Sequence, residues 1–139
     1  MTDNPAHNAT RIHLDPDPFE HFGIAQGYRI GNLVITSGQA SIDEHANVVG
    51  AGNFDAQVRQ TFENLKRVLE AANSSLAKII KLNIYVTDMR YYPRLVELRT
   101  NYLGSARPAD TAVEVSALAL PGLMVEIEAT ALVEGRIIS

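Results

Sequence analysis

Residues 123–133 read LMVEIEATALV, and this stretch predicts a β-strand with two unlike faces. Because successive side chains of a strand point to opposite sides, Glu126 and Glu128 share one face and the apolar residues between them share the other. The apolar face must pack against helices, so the glutamates face solvent, a partner subunit or a binding site. Burial at a subunit boundary raises the pKa of a glutamate and suits it to acid–base catalysis. On the pattern alone, a solvated sheet face is the simpler interpretation.

Outward from this strand, short β-rich runs alternate with two helical segments. The clearest helix covers residues 55–72, where apolar residues recur at helical spacing along one stripe. A second helix follows Asp88, with Pro93 in its first turn. This order predicts one α+β domain in which a mixed sheet carries two helices on one face. The predicted strands are an edge strand at the start of 11–20, a hairpin over 27–36 that turns at Gly31-Asn32, and 79–87, 111–117 and 123–133.

The composition limits the domain count and the partners. The chain has 139 residues, which suit a single domain, predicted over 11–139 after a disordered tail at 1–10. Twelve Lys and Arg against sixteen Asp and Glu leave a net charge of −4, which argues against nucleic acid as a partner. No stretch approaches the roughly 18 apolar residues of a membrane span, and residues 1–10 lack the features of a signal peptide. We therefore expect a cytoplasmic protein without a membrane partner.

Several kinds of site are disfavoured because their motifs are missing. The chain has no cysteine, and its four histidines show no metal-binding spacing, so no metal site is predicted. It also lacks the GxSxG, GxxxxGK[ST] and GxGxxG patterns of hydrolases, nucleotide-binding loops and dinucleotide-binding folds. Ser37, in the stretch Ser37-Gly38-Gln39, can act as a nucleophile only beside a base. A backbone turn at the end of a strand is the simpler interpretation there.

Taken in order, these segments resemble the RidA family, also called YjgF or the endoribonuclease L-PSP family. The resemblance covers about residues 20–133, and it is the ordered set rather than any single motif that makes it specific. The matching stretches are GNLV at 31–34, SGQ at 37–39, QVRQTFENL at 57–65, VLEAA at 68–72, YVTDM at 85–89, RPA at 107–109, VEV at 113–115 and VEIEA at 125–129.

The resemblance implies a chorismate-mutase-like α+β fold that assembles as a homotrimer with a central barrel. It also implies three clefts between subunits, each of which binds a small-molecule ligand. Archetypal members hydrolyse reactive enamines and imines, such as 2-aminoacrylate, to a 2-keto acid and ammonia, without a metal or organic cofactor. In that mechanism an arginine binds the substrate carboxylate through a bidentate fork, and a glutamate positions or activates water.

When the family's functional residues are aligned with this sequence, the glutamate, the serine and the glycine are present, but the arginine is not. The catalytic glutamate falls on Glu126, and the serine and glycine at the strand end fall on Ser37 and Gly38. The position of the carboxylate-binding arginine holds Asp110 instead. A negative charge there repels a substrate carboxylate by roughly 4 kcal/mol at 4 Å and an intermediate dielectric constant. The candidates to replace this arginine are Arg107, three residues earlier, and a residue of a neighbouring subunit.

Three other positions of the implied cleft also depart from the family pattern. Ile24 stands for a tyrosine, Val96 for an asparagine and Ala112 for a cysteine. The cleft is therefore expected to hold two carboxylates, Asp110 and Glu126, among apolar residues. Paired carboxylates in an apolar site separate their pKa values, so that one acts as an acid and the other as a base. Such a cleft is expected to prefer neutral or cationic ligands.

These observations leave alternative functions open. The first is a cofactor-independent deaminase or hydrolase of a small enamine, imine or amide, with specificity altered from 2-aminoacrylate; within it, a pathway-specific deaminase of ring-cleavage products such as 2-aminomuconate is a further possibility. The second is a non-catalytic trimer that binds a metabolite or acts like a chaperone. RNA cleavage, ascribed to some relatives, is the weakest because the chain is acidic and has no basic stripe.

Overall fold

A computed structural model describes residues 4–138 of the chain and contains seven strands and two α-helices within them. The helices are α1 (Phe54–Ala71) and α2 (Tyr92–Leu103). Short 3-10 turns cover Pro5–His7, Glu20–Phe22, Leu76–Lys78 and Met89–Tyr91. The strands are β1 (Ala9–Arg11), β2 (Gly27–Ile30), β3 (Leu33–Thr36), β4 (Gln39–Ala40), β5 (Ile79–Val86), β6 (Ala109–Glu114) and β7 (Val125–Leu132).

All seven strands form one mixed sheet organised around β7. The order is β1-β2-β3-β7-β5-β6, and β4 pairs with the same edge of β7 as β3 does. The neighbours β5 and β6 are parallel because α2 connects them, and the other pairs are antiparallel. The stretch 123–133 therefore supplies the strand to which three other strands bind.

Both helices pack into the same apolar core on one face of this sheet. The side chains of β7 alternate between buried and partly buried, with Val125, Ile127 and Ala129 in the core. The core-facing stripe of α1 includes Val58, Phe62, Leu65 and Leu69, all fully buried. The predicted α+β class, the single mixed sheet and the two helices on one face are confirmed.

Asparagine residues stand at both ends of α1. The Asn53 side chain accepts a hydrogen bond of 3.0 Å from the backbone N–H of Ala56 at the start of the helix. Beyond its end, Asn73 has a positive φ of 62°, a left-handed conformation that asparagine tolerates. The hairpin turns at Gly31-Asn32, and Gly31 has a positive φ of 57°.

The main differences from the prediction concern the bounds of β1 and β6 and the additional strand β4. Strand β1 begins at Ala9, inside the segment 1–10 predicted as tail, because Ala9–Arg11 pair with β2. Residues 1–3 of that segment lie outside the described residues. Strand β6 covers 109–114 rather than 111–117, and the two-residue strand β4 was missed because its pairing partner lies far along the chain.

A polar side chain of α1 ties the turn before β7 to the helix. Gln57 is fully buried, and its Nε2 atom donates to the carbonyl oxygens of Gly122 (2.8 Å) and Gly50 (3.2 Å). Its Oε1 atom accepts a hydrogen bond of 2.8 Å from the backbone N–H of Met124. This one amide therefore fixes the turn from which β7 starts.

Replacing this amide with a hydrocarbon is expected to destabilise the fold. Gln57→Leu leaves the Gly122 carbonyl and the Met124 N–H without their partner, and should lower the free energy of unfolding by about 2–4 kcal/mol. Urea denaturation followed by circular dichroism measures the change. The matched control is Gln60→Leu on the same helix, where the lost side-chain bond to Asn64 should cost about 0.5 kcal/mol. Equal effects of the two substitutions would contradict the prediction.

Candidate functional site

A mostly apolar cleft of about 330 Å³ lies beside the first residues of β7 and brings together four of the predicted site residues. These are Glu126, Ser37, Gly38 and Ile24, and we call this the Glu126 cleft. The apolar wall opposite Glu126 includes Phe19, Phe22 and Leu123. The cleft has a single carboxylate among hydrocarbon side chains, which is an arrangement suited to a base that acts on a small molecule.

Glu126 is partly buried on the face of β7 that points away from the helices, as its alternation with the core residues predicts. Burial raises the pKa of its carboxyl group above the usual value, and the nearby charge of Glu128 raises it further. Within residues 4–138, the carboxylate of Glu126 accepts no hydrogen bond, so both of its oxygens are free for water or a ligand. The neighbouring Glu128 is instead held by the hydroxyl group of Tyr85, which donates to it at 2.5 Å.

Gly38 is required by its closeness to Glu126. A Cβ atom added at Gly38 would lie 2.7 Å from the Cδ atom of Glu126 and 2.7 Å from its Oε1 atom. Any larger residue would therefore displace the carboxylate from its present position. The backbone turn that the sequence predicts at Ser37-Gly38-Gln39 therefore brings the end of the strand close to the side chain of Glu126.

Ser37 has a structural contact and no activating base. Its Oγ atom donates to the carbonyl oxygen of Ala25 at 2.5 Å, and its backbone N–H donates to the carbonyl oxygen of Gln26 at 2.8 Å. A carbonyl oxygen cannot take the hydroxyl proton, so this contact does not make Ser37 a nucleophile. The geometry favours the strand-end turn, which fixes the loop that bears Ile24.

Three polar side chains that the sequence analysis missed hold the same loop. Gln39 donates through Nε2 to the Oε1 atom of Gln26 at 2.9 Å, and Gln26 donates through Nε2 to the Oδ1 atom of Asp17 at 2.7 Å. Gln26 and Gln39 are both buried. Their spacing along the chain follows no helix or strand period, so no sequence pattern indicates that they meet.

The other predicted residues lie around a second cleft of about 370 Å³ between α2 and the start of β6. It is lined by Val96, Arg107 and Asp110, together with Arg99 on α2, and we call it the Arg99 cleft. Arg99 donates through Nη1 to the Oδ2 atom of Asp110, and the two form an ion pair. Arg99 was missed because its relation to Asp110 depends on how α2 packs against β6.

Within one chain, Asp110 and Glu126 do not share a pocket. Asp110 is paired with Leu82 of β5, whereas Glu126 is paired with Tyr85 of the same strand, which places them two strands apart. They also lie on opposite faces, since Leu82 is in the core and Tyr85 is on the glutamate face. From strand geometry, the separation is about 10 Å across the sheet and about 10 Å along it. A site with both groups requires a second subunit.

Ala112 does not line either cleft. It is partly buried and packs against the apolar core from β6, next to Ile84 of β5. Its small side chain therefore belongs to the packing between the edge of the sheet and the core. Of the eight site residues predicted from the sequence, four line the Glu126 cleft, three line the Arg99 cleft and Ala112 joins the core.

Comparison with known proteins identifies relatives over most of the chain. The profile of the family described as Endoribonuclease L-PSP matches residues 15–133. A RutC family protein of Pyrococcus horikoshii is 38% identical over 107 residues, which cover 77% of this chain and 84% of that protein. A protein of Dermatophagoides farinae called 2-iminobutanoate/2-iminopropanoate deaminase is 28% identical over 121 residues, 87% of this chain and 92% of its own.

The structure is similar to solved structures of the same group. The crystal structure of RidA from the Antarctic bacterium Psychrobacter sp. PAMC 21119 superposes with a TM-score of 0.81. Its sequence is 35% identical to this chain, and the match covers 88% of this chain and 98% of the other. The fold implied by the family resemblance is therefore confirmed for the single chain.

The contribution of Glu128 to the raised pKa of Glu126 can be tested by substitution. In the wild type, Glu126 should titrate above the ordinary glutamate value of 4.5. Glu128→Gln removes a negative charge that disfavours the Glu126 anion, so the titration should move to lower pH. Carbon-13 NMR of the glutamate carboxyl groups follows this shift. The control Glu134→Gln, at an exposed residue beyond the end of β7, should leave the titration unchanged.

Proposed function

Since the chain belongs to the endoribonuclease L-PSP family, also called the RidA family, we propose that it is a cofactor-independent deaminase of small imines or enamines. The observation that carries this proposal is the carboxylate of Glu126. It is partly buried, has a raised pKa and receives no hydrogen bond from the described residues, in a cleft otherwise lined by apolar side chains. These are the properties of a general base that is available to accept a proton from a water molecule.

The reaction follows from what this carboxylate can do. Glu126 accepts a proton from water while the water oxygen attacks the imine carbon. The proton is then passed to the nitrogen, which gives a carbinolamine. Glu126 next transfers the hydroxyl proton of the carbinolamine to the amino nitrogen, the C–N bond breaks as the C=O bond forms, and the products are a carbonyl compound and ammonia. A pKa raised towards neutrality makes Glu126 a stronger base than an ordinary glutamate. The apolar wall keeps bulk water away from the reacting atoms.

We further propose that the chain acts as a homotrimer with its clefts between subunits. The face of the sheet opposite the helices exposes four large apolar side chains on β2 and β3, each between 38% and 44% exposed: Tyr28, Ile30, Leu33 and Ile35. Burial of such a patch stabilises association. The positions of the predicted site residues also favour this assembly. Glu126 and Asp110 lie in separate clefts of each chain, so only a second subunit could bring the two groups together. In the trimer, the Glu126 cleft of one subunit would adjoin the Arg99 cleft of the next.

The non-catalytic alternative and the cellular location remain predictions. A trimer that only binds a metabolite differs from the enzyme in one measurable respect, since it binds its ligand without turnover. Among residues 4–138, no helix has the length and apolar composition needed to cross a membrane. A cytoplasmic location, the absence of nucleic-acid partners and the absence of a cofactor stay expectations from the sequence and the family resemblance.

The activity is tested by hydrolysis of 2-iminopropanoate generated in the assay. We expect the wild type to accelerate release of ammonia, and Glu126→Gln to lower kcat/KM by about 10²- to 10⁴-fold because it removes the base. Glu134→Gln is the matched control and should retain wild-type activity. Equal rates for the wild type and Glu126→Gln would rule out Glu126 as the base, and binding without any turnover would favour the non-catalytic trimer.

The assembly is tested separately by light scattering after size-exclusion chromatography. The wild type should have three times the chain mass of 15.2 kDa. Ile35→Asp introduces a charge into the exposed patch and should shift the protein towards the monomer, because an unpaired charge is costly to bury. Ile138→Asp is the matched control, since Ile138 is 81% exposed and lies beyond the sheet. A monomeric wild type would overturn the proposed assembly.

A further inference from the structure

One wall of the Glu126 cleft belongs to a surface loop whose two ends are joined by side chains. The loop covers residues 17–26, and we call it the cleft loop. At its base, the Nε2 atom of Gln26 donates to the Oδ1 atom of Asp17 at 2.7 Å, across nine positions of the chain. Between these ends the loop presents Phe22 and Ile24 to the cleft. Compact loops whose ends lie close together often carry functional groups.

The cleft loop is also attached to the strand end that lies beside Glu126. The Oε1 atom of Gln26 accepts a hydrogen bond of 2.9 Å from the Nε2 atom of Gln39, and both amides are buried. Gln39 belongs to β4, which pairs with β7. The residue before it is Gly38, where a Cβ atom would collide with the carboxylate of Glu126. A chain of hydrogen bonds therefore runs from Asp17 through Gln26 to Gln39, and it joins the apolar wall to the strand end that contacts the carboxylate.

This chain is built from buried polar groups that fix one geometry. The side chain of Asp17 is only 8% exposed, and its Oδ1 atom also accepts the backbone N–H of Phe19 at 2.9 Å, whereas the guanidinium of Arg11 is 4.0 Å away. Burial of a carboxylate is costly unless its oxygens accept hydrogen bonds. Hydrocarbon side chains would fill the same space without that cost, but a hydrogen-bonded network also fixes the relative orientation of its members. We therefore interpret the network as a means of setting the position of the loop.

The position of the cleft loop affects how much water reaches Glu126. Burial is the larger of the two causes that raise the pKa of its carboxyl group, and the charge of Glu128 is the smaller. The loop contributes to this burial, since Phe19, Phe22 and Ile24 line the cleft together with the carboxylate. Movement of the loop away from the carboxylate would admit water, which stabilises the charged form and weakens the base.

We propose that Asp17, Gln26 and Gln39 are positioning residues, which hold the cleft loop against Glu126 and thereby keep water away from its carboxylate. Among residues 4–138, the lining of the cleft includes none of these three, so they act through the apolar residues of the loop. The inference rests on the proposed function for the role of Glu126 as a base. The position of the loop is nevertheless a property of the folded protein that is measured without turnover.

The experiment compares Asp17→Ala with Asp17→Asn in the full chain. Both substitutions remove the charge, but only asparagine keeps a side-chain oxygen that accepts from Gln26 and from the backbone N–H of Phe19. Carbon-13 NMR of the glutamate carboxyl groups follows the titration of Glu126. In Asp17→Ala we expect this titration to move to lower pH, towards the ordinary value of 4.5, because the loop no longer excludes water. In Asp17→Asn it should stay at the wild-type value.

Turnover gives a second readout where the wild type hydrolyses 2-iminopropanoate. For Asp17→Ala we expect kcat/KM to fall by about 10- to 100-fold, since small displacements of the groups around a reacting centre cost about this much. The acid limb of the pH profile of kcat/KM reports the base of the free enzyme and should move to lower pH with the NMR titration. Asp17→Asn should restore kcat/KM to within about threefold of the wild type, because the acceptor is kept.

A general loss of stability is distinguished by the matched control Ser74→Ala. Ser74 is buried, and its Oγ atom donates to the carbonyl oxygen of Leu132 at 2.6 Å. Leu132 is the last residue of β7, whereas Glu126 is the second. This variant therefore loses a hydrogen bond of a buried side chain far from the cleft loop, and the titration of Glu126 should be unchanged.

A second variant breaks the chain of hydrogen bonds at its other end and replaces Asp17→Ala if that variant does not fold. Gln39→Met removes the bond to Gln26 and leaves the bond between Gln26 and Asp17 in place. Methionine is unbranched and flexible, so it fills the space of the glutamine. We expect the titration of Glu126 to move to lower pH in this variant too.

The outcomes separate this inference from the proposed function. If Glu126 titrates in the folded variant as it does in the wild type, the inference is overturned even where the wild type hydrolyses 2-iminopropanoate. An equal shift in Asp17→Asn or in Ser74→Ala also overturns it, because the charge or the loss of stability is then the cause. If the titration moves in Asp17→Ala but in neither control, and the wild type shows no turnover, the network holds the loop as inferred and the deaminase proposal fails.

Discussion

The pairing of β7 on both of its edges is the constraint on which the rest of the structure depends. One edge binds β3 and β4, and the other binds β5 along its whole length, so the strand cannot shift by one residue without losing three sets of hydrogen bonds. A shift of one residue would also exchange the two faces and bring Glu126 and Glu128 into the core. The amide of Gln57 fixes the turn before the strand, and the apolar core fixes the face that it buries.

This constraint gives the two glutamates different environments although they lie on one face of one strand. Glu128 accepts a hydrogen bond from the Tyr85 hydroxyl group. Glu126 lies beside Gly38 at the apolar cleft, and its carboxylate oxygens accept no hydrogen bond from residues 4–138. The hydrogen-bonded carboxylate of Glu128 is a charge in a fixed position. The carboxylate of Glu126, which has no such bond and is partly buried, is a candidate base. The fixed charge in turn raises the pKa of the free one. The proposed base and the charge that raises its pKa therefore lie on one face of the same strand.

In the Arg99 cleft, the effect of the Asp110 charge on a ligand depends on the residues that contact it. Asp110 alone suggests a site that repels carboxylates, but its ion pair with Arg99 leaves a guanidinium with free donors at the same place. The charge that matters to a ligand is that of the whole lining, where Arg107 adds a further positive group. An arginine carried by α2 and an arginine carried by β6 reach one cleft, since the helix packs beside the start of that strand.

The sequence by itself determined the properties that depend on local periodicity. These include the amphipathic stripe of α1, the hairpin at Gly31-Asn32 and the face on which Glu126 lies, because each follows from side-chain direction or backbone preference within a few residues. Only the tertiary structure decided which distant residues meet: Arg99 with Asp110, Gln26 with Gln39 and Asp17, and Gly38 with Glu126. Those contacts depend on how helices and strands far apart in the chain pack together, and no repeat along the sequence encodes that packing.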